Sequence, residues 1–162
     1  MSVHEARDFI NTYFAKFPGV RTFTDETIEL ARNQGYVSTL MGRRRYMQDI
    51  NSANRNIRQF AERAAVNMPI QGTAADIMKV AMIHVHDALI EAGLKSKMLL
   101  QVHDELLLEV PPSEIDAVCD LVRKGMEHAA DLRVPLRVDV KSGKNWSEMT
   151  MGREDEEPIE VI

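Results

Sequence analysis

Apolar residues recur at helical spacing near the start of the chain. Ala6, Phe9, Ile10, Tyr13, Phe14 and Phe17 form one stripe, which predicts a helix over 3–17. Pro18-Gly19 reads as its end. A second helix is expected over about 24–33, with Ile28, Leu30 and Ala31 as its apolar residues; Gly35 stops it by tolerating positive φ. Tyr36-Val37-Ser38-Thr39-Leu40 is β-prone, Gly42 marks a turn, and Arg44-Arg45-Tyr46-Met47 reads as the returning strand. Asn51 or Ser52 is suited to cap a third helix that reaches about residue 67. Pro69 lacks a donor and disfavours helical geometry in the residue before it, so a kink or break is expected there. A fourth helix, about 70–92, carries Ile70, Ala74, Ile77, Met78, Ala81, Val85, Ala88 and Leu89 on one stripe and stops at Gly93.

The region 98–110 changes period. Two apolar runs flank a three-residue polar tip, His103-Asp104-Glu105, which predicts a hairpin closed by Pro111-Pro112. Ser113-x-x-Asp116 has the form of a capping box for a fifth helix to about residue 129. Residues 136–140 alternate apolar and polar and read as a last strand. No periodic pattern follows Trp146, and 147–162 reads as an acidic, solvated tail attached to one domain over 1–146. Helices, a hairpin and a helix crossing between strands define an α+β fold: a small antiparallel sheet packed on long helices.

Composition narrows this picture only in part. The 162 residues suit one domain with a real core, and the ten methionines suit irregular core packing. The single cysteine, Cys119, excludes an intrachain disulfide framework or a zinc ribbon, fits a reducing compartment and reads as a core thiol. No apolar run is long enough for a bilayer and no signal-peptide pattern opens the chain, so a soluble, cytoplasmic protein without a membrane partner is expected. The net charge of −5 conceals a division. Acid gathers at Glu154, Asp155, Glu156, Glu157 and Glu160; base gathers at Arg43, Arg44, Arg45, Arg55, Arg58 and Arg63, opposed there by Asp49 and Glu62. A local basic stretch on an acidic chain is the quantity that matters for phosphate.

Three clusters carry candidate chemistry. Asp104 and Glu105 could present hard oxygen ligands to a divalent cation such as Mg²⁺. Two-metal phosphoryl transfer uses such carboxylates to hold cations about 3.5–4 Å apart. Neighbouring strand residues point to opposite faces, so both converge on one site only if the tip bends; a plain polar turn is the other reading. Arg63, Asn67 and Gln71 stand four residues apart, a spacing that aligns them along one face of a helix; the distortion expected at Pro69 lies between Asn67 and Gln71 and need not destroy that alignment. Their donors suit the minor groove, where purine N3 and pyrimidine O2 accept almost regardless of sequence; a solvated face is the alternative. Gly72 and Ala74-Ala75 allow a close approach of backbone, and Gly42-Arg43-Arg44-Arg45-Tyr46 could grip phosphates or be surface charge. His84 and His86 lie on different helix faces, and His4-Glu5 lacks a second histidine, so neither makes a metal site.

Taken together, three runs closely resemble the C-terminal part of a family A DNA polymerase of the bacterial DNA polymerase I type. They are Gly35-Tyr36-Val37-x-Thr39-Leu40-x-Gly42-Arg43-Arg44-Arg45-Tyr46, then Glu62-Arg63-Ala64-Ala65-x-Asn67-Met68-Pro69-Ile70-Gln71-Gly72-Thr73-Ala74-Ala75-Asp76-Ile77, then Gln101-Val102-His103-Asp104-Glu105-Leu106. The resemblance covers nearly everything from residue 3 to Trp146. It implies a palm subdomain with the adjoining last helices. It implies Asp104 as the second metal-binding aspartate, Glu105 as its acidic neighbour and His103 beside the primer 3′ end. Arg63, Asn67 and Gln71 would contact primer and template, and Arg45 would be a further basic contact. The implied reaction is attack of a primer 3′-hydroxyl on the α-phosphate of a deoxynucleoside triphosphate, in DNA replication and repair. Its partners would be primer-template DNA and deoxynucleoside triphosphates, with two Mg²⁺ ions, in a cytoplasmic, nucleoid-associated enzyme.

The family's first aspartate motif, of Asp-Tyr-Ser-Gln-x-Glu type, and its triphosphate-gripping fingers helix are not found in the chain. A fragment is therefore expected, inactive alone, prone to self-association, and with the missing polymerase portion as a partner in trans. A non-catalytic DNA-binding module and a small metal-dependent phosphodiesterase using His103, Asp104 and Glu105 are the competing readings.

Overall fold

The computed structural model describes residues 2–150, so the acidic residues from 154 to 160 lie outside the described part. The chain forms two compact units, Met1–Ile77 and Met78–Ile162.

The first unit opens with α1, Val3–Lys16, started by a capping box: the Ser2 hydroxyl accepts from the Glu5 amide and the Glu5 carboxylate accepts from the Ser2 amide. Its apolar stripe forms as expected, yet no α1 residue is buried. Helix α2, Pro18–Gln34, begins at Pro18 and not near Thr24. Pro18-Gly19 does end α1, but proline at a first helical position loses only an amide that would be unpaired anyway, so it also starts α2. Gly35 closes α2 at φ 79°, a left-handed geometry glycine adopts at no steric cost, and its amide donates to the Ala31 carbonyl.

Strands β1, Tyr36–Ser38, and β2, Arg44–Tyr46, pair antiparallel with Val37 opposite Arg45. Helix α3 then runs unbroken from Arg55 to Glu91. Its cap is Asn54, whose Oδ1 accepts from the Asn56 amide at 3.0 Å. Asn51 and Ser52, the expected caps, are used elsewhere: the Asn51 amide group donates to the Arg32 carbonyl, and the Ser52 carbonyl accepts from Arg58.

The break expected at Pro69 does not occur, since Pro69 lies inside α3. One missing amide is outweighed by tertiary packing. Ala61, Ala65 and Met68 join Ala31, Val37, Met47 and Ile50 in a core, and the Thr73 hydroxyl donates to the Pro69 carbonyl. The buried face of α3 here is Met68, Gly72, Thr73 and Asp76; Ile70 and Ala74, expected on the apolar stripe, are exposed.

In the second unit, Val85 and Leu89 of α3 pack with Val118 and Val122 of α4, Ile115–Glu127, and with Leu106, Leu108 and Val110. Strands β3, Lys97–Val102, and β4, Glu105–Glu109, form the hairpin, with a register shift between Met98 and Leu100. The expected capping box at Ser113 is absent: Pro112–Glu114 forms a 3₁₀ turn, and α4 starts without a side-chain cap bond. Glu114 instead faces the hairpin entry. Its carboxylate accepts from the Lys95 and Ser96 amides at 3.0 Å and from the Ser96 hydroxyl at 2.7 Å. These bonds, the Lys95 amide foremost, hold it below the usual carboxylate range.

Residues 136–140 keep the expected alternation of half-buried and exposed positions but are not a strand, because no described segment pairs with them. The chain after Trp146 is not patternless: α5, Trp146–Thr150, is a short helix whose Glu148 amide donates to Asn145 Oδ1 at 3.1 Å. The α+β class holds, with two small two-stranded antiparallel sheets among helices.

Candidate nucleic-acid interface and carboxylate turn

In the first unit the buried stripe of α3 fixes what its other face presents. Arg63, Asn67 and Gln71 are all exposed. The intervening Ala65 and Met68 point into the core. Arg63 and Asn67 also border a groove of about 530 Å³ with Gln59, Val66 and Ile70 of α3 and Thr24 and Ile28 of α2. Gln59 extends the four-residue series by one turn toward the N-terminus. The sequence reading missed it, although the spacing 59, 63, 67, 71 carries the signal. The Arg32–Glu62 ion pair at 2.6 Å ties α2 to α3 beside this groove.

The arginine cluster divides by role. Arg43 does not offer its fork to phosphate: Nε bonds Asp76 Oδ1 at 2.8 Å and Nη2 donates to the Gly72 carbonyl at 3.0 Å. Thr39 accepts from the Arg43 amide, and Thr73 accepts from the Leu40 amide. The loop 39–43 is thus clasped to α3. Gly72 is small for this reason: a Cβ there would lie 2.7 Å from Thr39 Cγ2. The close approach inferred from Gly72 is real, but the visitor is a side chain, and Ala74 and Ala75 are exposed and take no part in it. Asp76 had no assigned role in the sequence reading. A carboxylate on the buried face of a helix was the available signal, since such a group needs a partner. With Arg43 fixed, Arg44 lies over the Tyr36 ring at 4.7 Å and Arg45 is exposed on β2.

In the second unit the hairpin turn is shorter than expected. Val102 pairs with Glu105, so the turn is His103-Asp104 and Glu105 is the first residue of β4. His103 takes φ 54°, positive φ at the first turn position, a geometry matched to strand twist in two-residue hairpins. Its carbonyl accepts from the Gln101 side chain. All three tip residues are exposed, and Asp104 and Glu105 both border one cavity. Among the described residues no group of three or more His, Cys, Asp or Glu side chains gathers as a metal cage. Mg²⁺ takes one or two protein carboxylates and completes its octahedron with water and phosphate oxygens, and the Asp104-Glu105 pair fits that partial donor set. Cys119, expected in the core, is half-buried beside the same cavity. No helix among the described residues is long and apolar enough to cross a membrane.

The helix face of spaced donors and the acidic hairpin turn are the two features against which comparison with known proteins is set. The family model described as DNA polymerase family A matches residues 1–148. DNA polymerase I of Caldicellulosiruptor bescii is 55% identical over 148 residues, 91% of this chain and 17% of that protein. DNA polymerase I of Geobacillus stearothermophilus is 54% identical over 142 residues, 88% of this chain and 16% of that protein. The solved POL domain of Pol1 from M. smegmatis, in complex with DNA primer-template and dNTP, superimposes with a TM-score of 0.90 at 50% identity, covering 92% of this chain and 26% of that one. The chain belongs to DNA polymerase family A, of the bacterial DNA polymerase I type, and spans about a sixth of the length of the C. bescii and G. stearothermophilus relatives.

Proposed function

We propose that this chain is the C-terminal, palm-containing part of a DNA-directed DNA polymerase. In this reading it binds the primer-template end and supplies one side of a two-metal site for nucleotidyl transfer. The observation that carries the proposal is the exposed Arg63, Asn67 and Gln71 series, aligned on α3 opposite its buried face. Long donors at this spacing suit a minor groove, where acceptors recur whatever the base pair. Arg45 adds a phosphate contact. His103 sits at the primer terminus, and Asp104, with Glu105 beside it, is the metal ligand. When bound, Mg²⁺ would supply charge stabilisation at the α-phosphate and favour ionisation of the primer hydroxyl. The chain's own residues orient the primer end and hold a carboxylate at a fixed turn. One carboxylate pair does not clamp two cations from both sides, so the isolated chain is inactive. The missing polymerase portion completes it, and the dNTP is a substrate of the completed enzyme.

Primer extension in Mg²⁺ tests this. The isolated chain should give no product. Adding the C. bescii DNA polymerase I polypeptide without its matched 148 residues should restore synthesis, and Asp104→Ala should abolish it again. Robust synthesis by the isolated chain would contradict the fragment reading. Salt-dependent primer-template binding that survives Asp104→Ala, with no synthesis on complementation, would establish the non-catalytic DNA-binding module instead. Arg63→Ala and Asn67→Ala should each weaken binding about tenfold, corresponding to loss of one charge-assisted or amide contact.

A further inference from the structure

The two faces of the β1–β2 sheet differ in character. Residues opposite each other in an antiparallel pair share a face, and successive residues alternate between faces. Val37 and Arg45 therefore lie on one face, and Tyr36, Tyr46, Ser38 and Arg44 on the other. Val37 is buried in one core with Ala61, Ala65 and Met68 of α3, so the second face is turned away from that core. There Tyr46 is 70% exposed. Its ring meets Tyr36 edge to face at 5.9 Å, and the Arg44 guanidinium lies 4.7 Å from the centre of the Tyr36 ring. Arg44 pairs with no carboxylate among the described residues, whereas the charge of Arg43 is neutralised by Asp76. The sheet is short, but it is braced. Bonds from Arg43 to Asp76 and Gly72, and from the Leu40 amide to Thr73, press the loop between its strands against α3.

We propose that this outer face binds single-stranded DNA, with one unpaired base stacked on Tyr46 and a phosphate beside Arg44. A ring open to solvent offers a π face, and only an unpaired base offers one in return, because stacked duplex bases present edges. An aromatic platform next to an uncompensated cation holds single strands without reading their sequence. Charge complementarity selects the occupant: Tyr36, Ser38, Arg44 and Tyr46 include a cation and no acid, in a chain whose net charge is −5. The stacking face rests on geometry; the choice of DNA over RNA rests on the polymerase reading above. The face is separate from the Arg63, Asn67 and Gln71 series. That series lies on α3 opposite its buried side, and the sheet lies across the same core with its rings turned outward. A duplex end held by α3 leaves Tyr46 open to a strand that has parted from its complement.

Binding of a short oligothymidylate to the full chain tests the face, with a blunt duplex as the control. Tyr46→Val keeps a β-forming side chain against Tyr36 and removes the π face. It should weaken oligothymidylate binding about tenfold, the scale of one lost base stack, and leave blunt-duplex binding and the thermal transition unchanged. Tyr46→Phe and Tyr46→Trp should bind like the parent. Arg44→Gln should lower the slope of log affinity against log salt by about 0.7, the value for one phosphate contact on a single strand. A direct readout serves if the valine variant does not fold: in the parent, the Tyr46 ring protons should move upfield in NMR as a base stacks on them. No oligothymidylate binding, binding that survives Tyr46→Val, or equal loss in the phenylalanine variant overturns the proposal. Tighter binding of the matching ribo-oligomer overturns the assignment to DNA. A Tyr46 ring shift on adding the C. bescii polypeptide without its matched 148 residues, in the absence of DNA, would reveal a protein seam and also overturn it. Restored synthesis without oligothymidylate binding overturns the face and leaves the polymerase reading standing. Tyr46-dependent binding without synthesis on complementation supports the face and counts against that reading.

Discussion

Gly72 sets two residue-scale effects against each other. In a helix interior alanine is favoured over glycine by about 1 kcal/mol. Against that, the new Cβ would sit 2.7 Å from Thr39 Cγ2, far inside the ordinary separation of 3.5–4.0 Å between carbons. Overpacking of this kind costs about 1–3 kcal/mol, so the clash wins. Gly72→Ala should lower the urea midpoint, and Gly72→Ala/Thr39→Ser, which removes the offending methyl and keeps the hydroxyl, should recover the helical gain. An unrescued double variant would contradict this account. The contact also marks where sequence reasoning ran out. Gly72 was visible as a place of close approach, and Arg43 as a charge in a cluster. That Arg43 is directed to Asp76 could not be read, because the two are brought together only when the loop folds onto the helix. The spacing of Arg63, Asn67 and Gln71 was legible by contrast, but the break expected at Pro69 placed Gln71 on a separate helix, and only the unbroken α3 puts all three on one face.

At the scale of elements, some local signals were followed and others, such as the capping box at Ser113, were not. Gly35 ends a helix and Ser2 starts one. Pro69 gave the wrong expectation because core packing along α3 outweighs one absent hydrogen bond. Its cost should still be measurable: Pro69→Ala should raise stability by about 1–3 kcal/mol in urea denaturation, in line with the helix penalty of proline. Residues 136–140 show the opposite case, a legible strand pattern with no partner to pair with among the described residues. Glu114 gives an element-scale prediction in pH. Its folded-state pKa is depressed below 4.5 by the Lys95 amide and the Ser96 bonds. Its contribution is therefore complete above the unfolded carboxylate value and is lost as pH falls through the folded one. Glu114→Gln should be less stable than the parent at pH 7, and the difference should close between about pH 4.5 and more acidic conditions where both forms are neutral. A gap that persists at pH 2 would mean that Glu114 acts by shape and not by charge.

For the whole molecule, what stays uncovered matters most. Helix α1 buries none of its residues, and Phe9 is 70% and Ile10 51% exposed on its stripe. Contiguous apolar surface of this sort favours association. Sedimentation should show mass rising with concentration, and Phe9→Glu/Ile10→Lys should reduce it; a clean monomer at high concentration would contradict this. The clasp between loop 39–43 and α3 also has a practical outcome for engineering. Thr39, Arg43, Gly72, Thr73 and Asp76 behave as one fastening, spread over two distant stretches of chain. A chimera that imports the arginine turn from a relative without the matching helix positions would lose its anchorage, and Arg44 and Arg45 would no longer be held where the native backbone presents them.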